Sequence, residues 1–413
     1  MIIAVEVRSL DFMKMSPFPV QRQLVSRTSL NGKSVNSFLM EQCVRLRRVS
    51  PSYTLSTMRK QLAELSVCPA CLGTLDLYSR EDFPIRDGET ACRDCGRRYE
   101  IRCGLPVFLL KDDHWSATKT EVEGEMEFVK EMPVSEHIKR NRFESKRTWD
   151  FLKTCEIPDS PRVLDVGGSS GIGAYLFHSY SPHVVIVDIV PEFLKIGEVC
   201  LAKKVDMDAC LAMAEWLPFR DDSFDIVFCR QTLHHCDDPP RAIREMFRVA
   251  KTGGQVLILG EPCLPVPPLR RERKPVADNT AGARILEKLP DDRFKYSWLN
   301  YRRDLKRVSD RFRIERASGM TASRPTPGGI VFVPQACKRG ILGRITNVIL
   351  PFGMGFRGDV NIRAAKTHPV SRINPPVNFK TVGGDELEIQ DVPPQQESEY
   401  REVFDKFFSE LDW

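Results

Sequence analysis

Two short apolar runs set the pattern of the central part of this chain. Val163-Leu164 passes through Asp165-Val166 into a glycine-rich turn, Gly167-Gly168-Ser169-Ser170-Gly171-Ile172-Gly173, after which Ala174-Tyr175-Leu176-Phe177 reads as the start of a helix. Val184-Val185-Ile186-Val187 ends in Asp188. Continuous apolar runs of this length, bounded by turn residues, predict strands buried on both faces. From 161 to 260 strand and helix patterns alternate, which predicts an α/β fold. Ahead of it, Glu121 to Glu131 and Glu136 to Trp149 are charged stretches that predict helices, and residues 66–110 form a compact cysteine-containing module. Residues 261–300 are rich in Pro and Arg and read as an excursion from the core, whereas 301–366 return to structured patterns. The tail from 367 is polar, carries Pro375-Pro376 and Pro393-Pro394, and ends in an amphipathic segment, Tyr400–Trp413, suited to packing on the body or on a partner.

Composition adds three constraints. The 413 residues, 42% hydrophobic and 28% charged, suffice for two or three domains, and no apolar run is long enough for a membrane-spanning helix. The formal charge of +5 sits at the start: residues 1–60 hold ten Lys/Arg against three Asp/Glu, which leaves the rest of the chain slightly acidic and weighs against a large nucleic-acid footprint. The thirteen cysteines are odd in number, and four of them form two tight pairs, which predicts a reducing, cytoplasmic setting with one metal site rather than a disulfide framework. Residues 1–57 are basic, Ser-rich and without period. A disordered arm, a targeting peptide, and sequence upstream of a start at Met58 are the readings open to them, and a secretory signal is not, for want of its apolar core. The expectation is an unstructured extension whose removal leaves melting temperature and activity unchanged.

The strand–turn–helix around Gly167 lets backbone amides and a helix start approach a ligand closely, and Asp188 at the end of the next strand suits the two hydroxyls of a ribose. Both point to an adenosine-type cofactor. A dinucleotide fingerprint requires no acid two residues before its first glycine. Here Asp165 stands there, in the pattern Asp165-x-Gly167-x-Ser169-x-Gly171. A carboxylate is unhelpful beside a pyrophosphate and suits the ammonium at the methionine end of S-adenosyl-L-methionine, directly or through water.

Cys68-Pro-Ala-Cys71 and Cys92-Arg-Asp-Cys95 are two C-x2-C knuckles. Two such turns facing each other make a tetrahedral S4 site, which suits Zn2+. Four protein ligands leave no open position, so the zinc is expected to be structural, holding a module too small to bury much core. Cys68-Pro-Ala-Cys-Leu-Gly-Thr-Leu, Cys92-Arg-Asp-Cys-Gly-Arg-Arg-Tyr-Glu-Ile and Gly104-Leu105-Pro106-Val107-Phe108-Leu109-Leu110 resemble the small zinc-binding activator proteins that partner methyltransferases. That resemblance implies a module that stabilises or activates an attached methyltransferase, here in cis.

The segment Ala214-Glu215-Trp216-Leu217-Pro218-Phe219-Arg220-Asp221-Asp222-Ser223-Phe224-Asp225-Ile226-Val227, then Leu233-His234-His235, then Ala242 to Gly254 and the strand Gln255–Leu259, closely resembles class I S-adenosylmethionine-dependent methyltransferases of the type 11-like group that includes quinone-biosynthesis C-methyltransferases. The resemblance covers about 145–262 and extends to Gly358–Lys366, which looks like the family's last strand. It implies a Rossmann-like seven-stranded sheet with a small N-terminal β-rich zinc module. It also implies a division into a basic extension (1–60), the zinc-binding module (61–112), the methyltransferase domain (113–366, with 261–357 covering the substrate) and the polar tail (367–413). Carried over by motif, Asp165, Gly167, Gly168, Ser169 and Gly171 line the methionine end and Asp188 holds the ribose. Ala214 and Glu215 lie beside the adenine, and Cys229 and Arg230 sit at the end of the fourth strand. Two departures stand out. Ser169 replaces a usual glycine and is tolerated if φ stays negative, and Met213 replaces an acid, leaving adenine to packing and backbone contacts.

Methyl transfer from a sulfonium needs alignment and, for some acceptors, removal of a proton. His235, after the fourth strand, is a candidate general base; local packing and hydrogen bonding of the His234-His235 pair is the alternative. Asp237-Asp238-Pro239-Pro240 reads as a turn with Asp238 capping the next helix. Cys229-Arg230-Gln231-Thr232 occupies the position where enzymes acting on exocyclic amines carry Asp/Asn-Pro-Pro-aromatic, which argues against that chemistry. Phe294, Tyr296, Trp298 and Tyr301 with nearby arginines suit a planar anionic substrate or an ordinary solvated lid. The expected activity is O- or C-methylation of a small-molecule or lipid-like acceptor. An RNA methyltransferase whose zinc module grips RNA, and a non-catalytic cofactor-binding scaffold, are the alternatives.

Overall fold

The computed structural model describes residues 58–111, 115–181, 183–201, 204–263, 296, 298–316, 358–373, 375, 379–384 and 386–409. The expectations for 1–57, for Phe294 and for most of 264–357 fall outside these residues. The described chain begins with helix α1 (Lys60–Leu65) and four short strands, β1 (Leu75–Tyr78), β2 (Gly88–Cys92), β3 (Arg98–Arg102) and β4 (Leu105–Pro106), which form an antiparallel sheet in sequence order. A fifth strand, β5 (Leu110–Lys111), leaves this module. The module's interior is small. Tyr99 and Phe108 meet edge to face at 5.5 Å, beside Ile85, Ile101 and Cys68.

Helices α2 (Trp115–Glu131) and α3 (Val134–Leu152) follow, each longer than its sequence signal. The main sheet then assembles from β6 (Arg162–Val166), α4 (Ile172–Phe177), β7 (His183–Asp188), α5 (Pro191–Leu201), β8 (Met207–Leu211), β9 (Phe224–Arg230), α6 (Pro239–Val249), β10 (Ala250–Cys263), α7 (Trp298–Leu305), β11 (Arg311–Arg316) and β12 (Gly358–Ala365). Its order is β11-β12-β10-β9-β6-β7-β8; the pairs joining β8, β7, β6, β9 and β10 are parallel, and β12 runs antiparallel to both β10 and β11. This is the seven-stranded α/β sheet expected, with Gly358–Ala365 as its antiparallel strand. Alternate side chains explain the unbroken apolar runs. Val185 and Val187 pack into the core shared with α6 and the module, whereas Val184 and Ile186 pack into the core shared with α4 and α5. Strand order reverses between β6 and β9, and a crevice at the carboxyl ends of strands at such a reversal is where ligands bind in open α/β sheets.

The module is joined to the edge of this sheet. The Phe108 amide donates to Leu211 O at 2.8 Å, with Val107 bridged to Leu211 in parallel, and the Val67 amide donates to Pro218 O at 2.9 Å, next to a bridge between Ser66 and Phe219. Arg59 pairs with Asp206 and Asp208, and the buried Lys195 of α5 reaches Cys103 O and Glu198. Beyond β12 the chain crosses back over the module. Arg372 donates to Pro69 O, and Arg97 donates to Phe379 O at 3.0 Å. Strand β13 (Lys380–Thr381) pairs with β5, and Asp391 meets Arg86 and Lys195. Helix α8 (Pro394–Ser409) then places Phe404 and Phe408 against Tyr175 of α4, with ring centroids 5.4 and 5.2 Å apart. No helix among the described residues is long and apolar enough to cross a membrane.

Candidate functional site

The glycine turn between β6 and α4 folds over the carboxyl end of β7. The amides of Gly167 and Gly168 donate to Val187 O at 2.8 and 3.1 Å. Gly167 takes φ +66°, and a β-carbon there would stand 2.2 Å from Thr232 Oγ1, so backbone from the β6 turn touches the turn after β9 with no room for a side chain. Ser169 corrects the sequence reading. Its φ is +49°, not negative, so a serine occupies a left-handed position where the family's usual glycine is unstrained. Its amide donates to Asp188 Oδ2 at 2.8 Å, and that bond fixes the turn despite the strain.

Asp165 lies beneath the turn, 1% exposed, with its carboxyl packed against Gly168 and Gly173. Burial pushes this carboxyl up to about 7, opposed by the charge of Arg230 and reinforced by that of Asp188. The Ala174 amide also favours the ionised carboxyl, but Oδ2 is buried with no well-formed hydrogen bond in the protein, which leaves acceptor capacity for a ligand. Asp188 holds the next position. Its two oxygens accept the amides of Ser169 and of Val190, the latter at 3.0 Å, and each oxygen keeps a second lone pair for a hydroxyl. Burial raises the Asp188 carboxyl, against these amides and the nearby charge of His235. The turn, an under-satisfied acceptor beneath it and a carboxylate beside it fit the methionine and ribose ends of S-adenosylmethionine.

The remaining positions divide. Arg230 ends β9 within reach of Asp165's charge, while Cys229 belongs to the core beneath the crevice, its thiol driven well up by burial. Ala214 is buried after β8. Glu215 is buried too, its carboxyl pushed up to about 7 by burial, and accepts the Asp238 amide at 3.3 Å, so it ties the loop after β8 to the start of α6. Asp238 caps α6 through the Arg241 amide at 3.1 Å, as expected. His234 and His235 sit in a 3-10 turn, Leu233–His235, right after β9, their ring centroids 4.1 Å apart. Tyr301 is fully buried in the core and Tyr296 donates to Asp304, so neither stands as a free aromatic lining. Thr232, the last residue of the Cys229–Thr232 segment, presses on Gly167, and Glu261, which no motif singles out, accepts the amides of Thr232 and Leu233 at 2.7 and 3.0 Å. The signal for Glu261 is the glycine before it at the end of an apolar run.

The four knuckle cysteines converge. Their sulfurs all lie within 4.8 Å of one another, with Cys68 to Cys95 at 3.6 Å and Cys71 to Cys92 at 3.4 Å. A metal about 2.3 Å from each of four thiolates sets sulfur–sulfur edges of about 3.8 Å, so this donor set fits zinc. Burial pushes the Cys68 thiol up to about 11. Burial also opposes ionisation of Cys95, but hydrogen bonds from the Arg97 backbone and side chain outweigh it and bring that thiol down to about 7. Metal uptake must therefore expel protons.

Residues 164–258 match the methyltransferase domain family. The uncharacterized methyltransferase YcgJ of Bacillus subtilis is 36% identical over 111 residues, 26% of this chain and 44% of its own length; its solved structure aligns with a TM-score of 0.36 at 22% identity, over 54% of this chain and 99% of that one. The ubiquinone/menaquinone biosynthesis C-methyltransferase UbiE of Xylella fastidiosa is 35% identical over 121 residues, 27% of this chain and 48% of its own length. The phosphoethanolamine N-methyltransferase of Triticum aestivum is 30% identical over 113 residues, 27% of this chain and 22% of its own length. The chain thus spans less than half the length of each of these curated relatives. Residues 164–258 are similar in sequence to methyltransferase domains.

Proposed function

We propose that the chain methylates a small-molecule or lipid-like acceptor at oxygen or carbon, with a structural zinc ion in its N-terminal module. The observation that carries the cofactor is the buried, under-satisfied Asp165 Oδ2 beneath the glycine turn, beside an Asp188 carboxylate already oriented by two amides. Bound there, S-adenosylmethionine supplies a methyl group on an electrophilic sulfur. The protein's part is to align: Asp165 offers charge to the ammonium, directly or through water, Asp188 takes the ribose hydroxyls, and Ala214 and Glu215 border the adenine. Choice of oxygen or carbon rests on the end of β9, where Cys229-Arg230-Gln231-Thr232 replaces the amine-binding pattern, and His235 is the candidate proton acceptor.

The module supports activation in cis by where it is attached. Phe108 holds Leu211 at the start of the adenine-side loop, and Val67 holds Pro218 at its end. A zinc site that keeps the module folded therefore braces both ends of one wall of the crevice. Calorimetric titration of S-adenosylmethionine into the zinc-loaded protein, with NAD as control, tests the reading. Micromolar binding of S-adenosylmethionine alone is expected. Binding of NAD instead, or of neither, would overturn it.

A further inference from the structure

Glu261 belongs to none of the sequence motifs, yet it sits at the carboxyl ends of the parallel strands. Strand β10 pairs regularly with β12 from Gln255 to Ile258, then shifts register before Glu261. At the shift, Gly260 takes φ +65° and its amide donates to Asn361 Oδ1 at 3.0 Å. A bulge re-aims the side chain next to it. Here it directs the Glu261 carboxylate, 0% exposed, under the turn that leaves β9. The carboxylate accepts the amides of Thr232, Leu233 and His234 at 2.7, 3.0 and 3.2 Å, and His234 Nδ1 at 3.0 Å. Burial raises this carboxyl, but the hydrogen bond and charge of His234, with the backbone amides, outweigh burial and hold it below the ordinary glutamate range. A carboxylate only accepts, so the proton of that bond sits on Nδ1. The His234 ring in turn packs against His235, ring centroids 4.1 Å apart, in the turn that leaves β9.

We propose that Glu261 is a positioning residue of the methyl-transfer site: it locks the 232–235 turn and the His234 ring, and that ring holds His235 at the cofactor crevice as the proton acceptor. The proposal rests on the methyltransferase reading and narrows the acceptor to one with a weakly acidic hydrogen, a phenolic O–H or an enolisable C–H. The acceptor's proton passes to His235, and its freed electron pair forms the new bond to the methyl carbon. The carbon–sulfur pair returns to sulfur, leaving S-adenosylhomocysteine, and His235 later gives the proton to water. His235 is then the catalytic residue, and Glu261 and His234 act through it.

The test uses the full zinc-loaded chain with 15N-labelled histidine. Long-range proton–nitrogen spectra are recorded from about pH 6 to about pH 8, with and without S-adenosylhomocysteine, and His234→Asn and His235→Asn assign the two rings. Expected for the wild type is a His234 ring fixed as the Nδ1–H form and a His235 ring that shifts when S-adenosylhomocysteine binds. In Glu261→Gln the His234 ring loses its fixed form and the His235 shift falls at least about twofold, while the dissociation constant for S-adenosylmethionine stays within about threefold. His234→Asn, which leaves Glu261 in place, is expected to diminish the His235 shift equally and serves if Glu261→Gln does not fold. A lowered melting temperature with both rings reporting as in the wild type would mean a structural brace only and overturn the proposal. Failure of the wild type to bind S-adenosylhomocysteine would overturn the methyltransferase reading instead, with the His234 signal still reporting whether Glu261 fixes that ring.

Discussion

The amide of Phe108 in the cysteine module donates to the carbonyl of Leu211 at the end of β8, 2.8 Å away, and so makes the module part of the main sheet's edge. Zinc removal is therefore expected to be felt beyond the module. Cys68→Ser, or a strong chelator, should release the one metal ion the cluster can hold and lower the melting temperature by on the order of 10 °C. It should also weaken S-adenosylmethionine binding several-fold, because the loop from Leu211 to Pro218 loses its anchors. Metal analysis, thermal denaturation and calorimetry on the same samples check this; a variant that keeps its zinc would displace Cys68 from the site.

Asp165 sets stability against binding. Burial raises its carboxyl to about 7, so the folded chain holds that proton more tightly than the unfolded chain does. The resulting stabilisation is complete below the ordinary aspartate range and is lost as pH rises through about 7. Asp165→Asn removes the ionisation. Its melting temperature should exceed that of the wild type by at least about 2–4 °C at about pH 8, with the difference narrowing through about pH 5 and closing only below about pH 4. The same substitution should weaken S-adenosylmethionine about tenfold or more by deleting the charge facing the ammonium. In the wild type, affinity should fall as pH drops below about 7. Equal affinities for the two proteins would remove Asp165 from the cofactor's surroundings.

Ser169 carries a left-handed backbone whose relief is measurable. Ser169→Gly should stabilise the chain by a few tenths to about 1 kcal/mol, the strain released being partly offset by the greater freedom of glycine in the unfolded chain. Ser169→Val should destabilise it by more, since a β-branched residue is least tolerant of φ +49°. Chemical denaturation distinguishes these signs.

Gly167 admits no side chain. Gly167→Ala places a β-carbon 2.2 Å from Thr232 Oγ1 and 2.8 Å from Thr232 Cβ at a φ of +66°, and should cost about 2 kcal/mol or more and abolish cofactor binding. Adding Thr232→Ala should restore stability only in part, because the Cβ contact remains. Full restoration would show that the Thr232 hydroxyl and methyl, the latter 2.3 Å from the added β-carbon, set the approach and that the Cβ contact is accommodated.

The sheet is legible in the sequence because its strands are buried on both faces, and a run such as Val184–Val187 is too short for a helix and too apolar for a surface loop. The cysteine cluster is legible because two-residue knuckles leave little conformational choice. Two features are not. Glu261 enters through a bulge, and a register shift at Gly260 reverses which face a side chain reaches, a change that alternation counted along β10 does not contain. The crossing of residues 367–391 over the module is hidden for a different reason. Its contacts are largely to backbone oxygens, as when Arg97 finds Phe379 O and Arg102 finds Gly384 O, and a carbonyl is the same in every residue. The Ser169 backbone escapes a reading by side-chain size, because what the turn imposes there is a torsion.

The segment that returns over the module after β12 also changes what kind of equilibrium governs it. Lys380 and Thr381 complete a two-stranded ladder with β5, and Asp391 clasps Arg86, so a module that lifts from the sheet edge remains tethered on both sides. Its return is an intramolecular event, set by an effective local concentration rather than by how much protein is present. Dilution should leave the braced crevice intact, and the ratio of module to domain is fixed at synthesis.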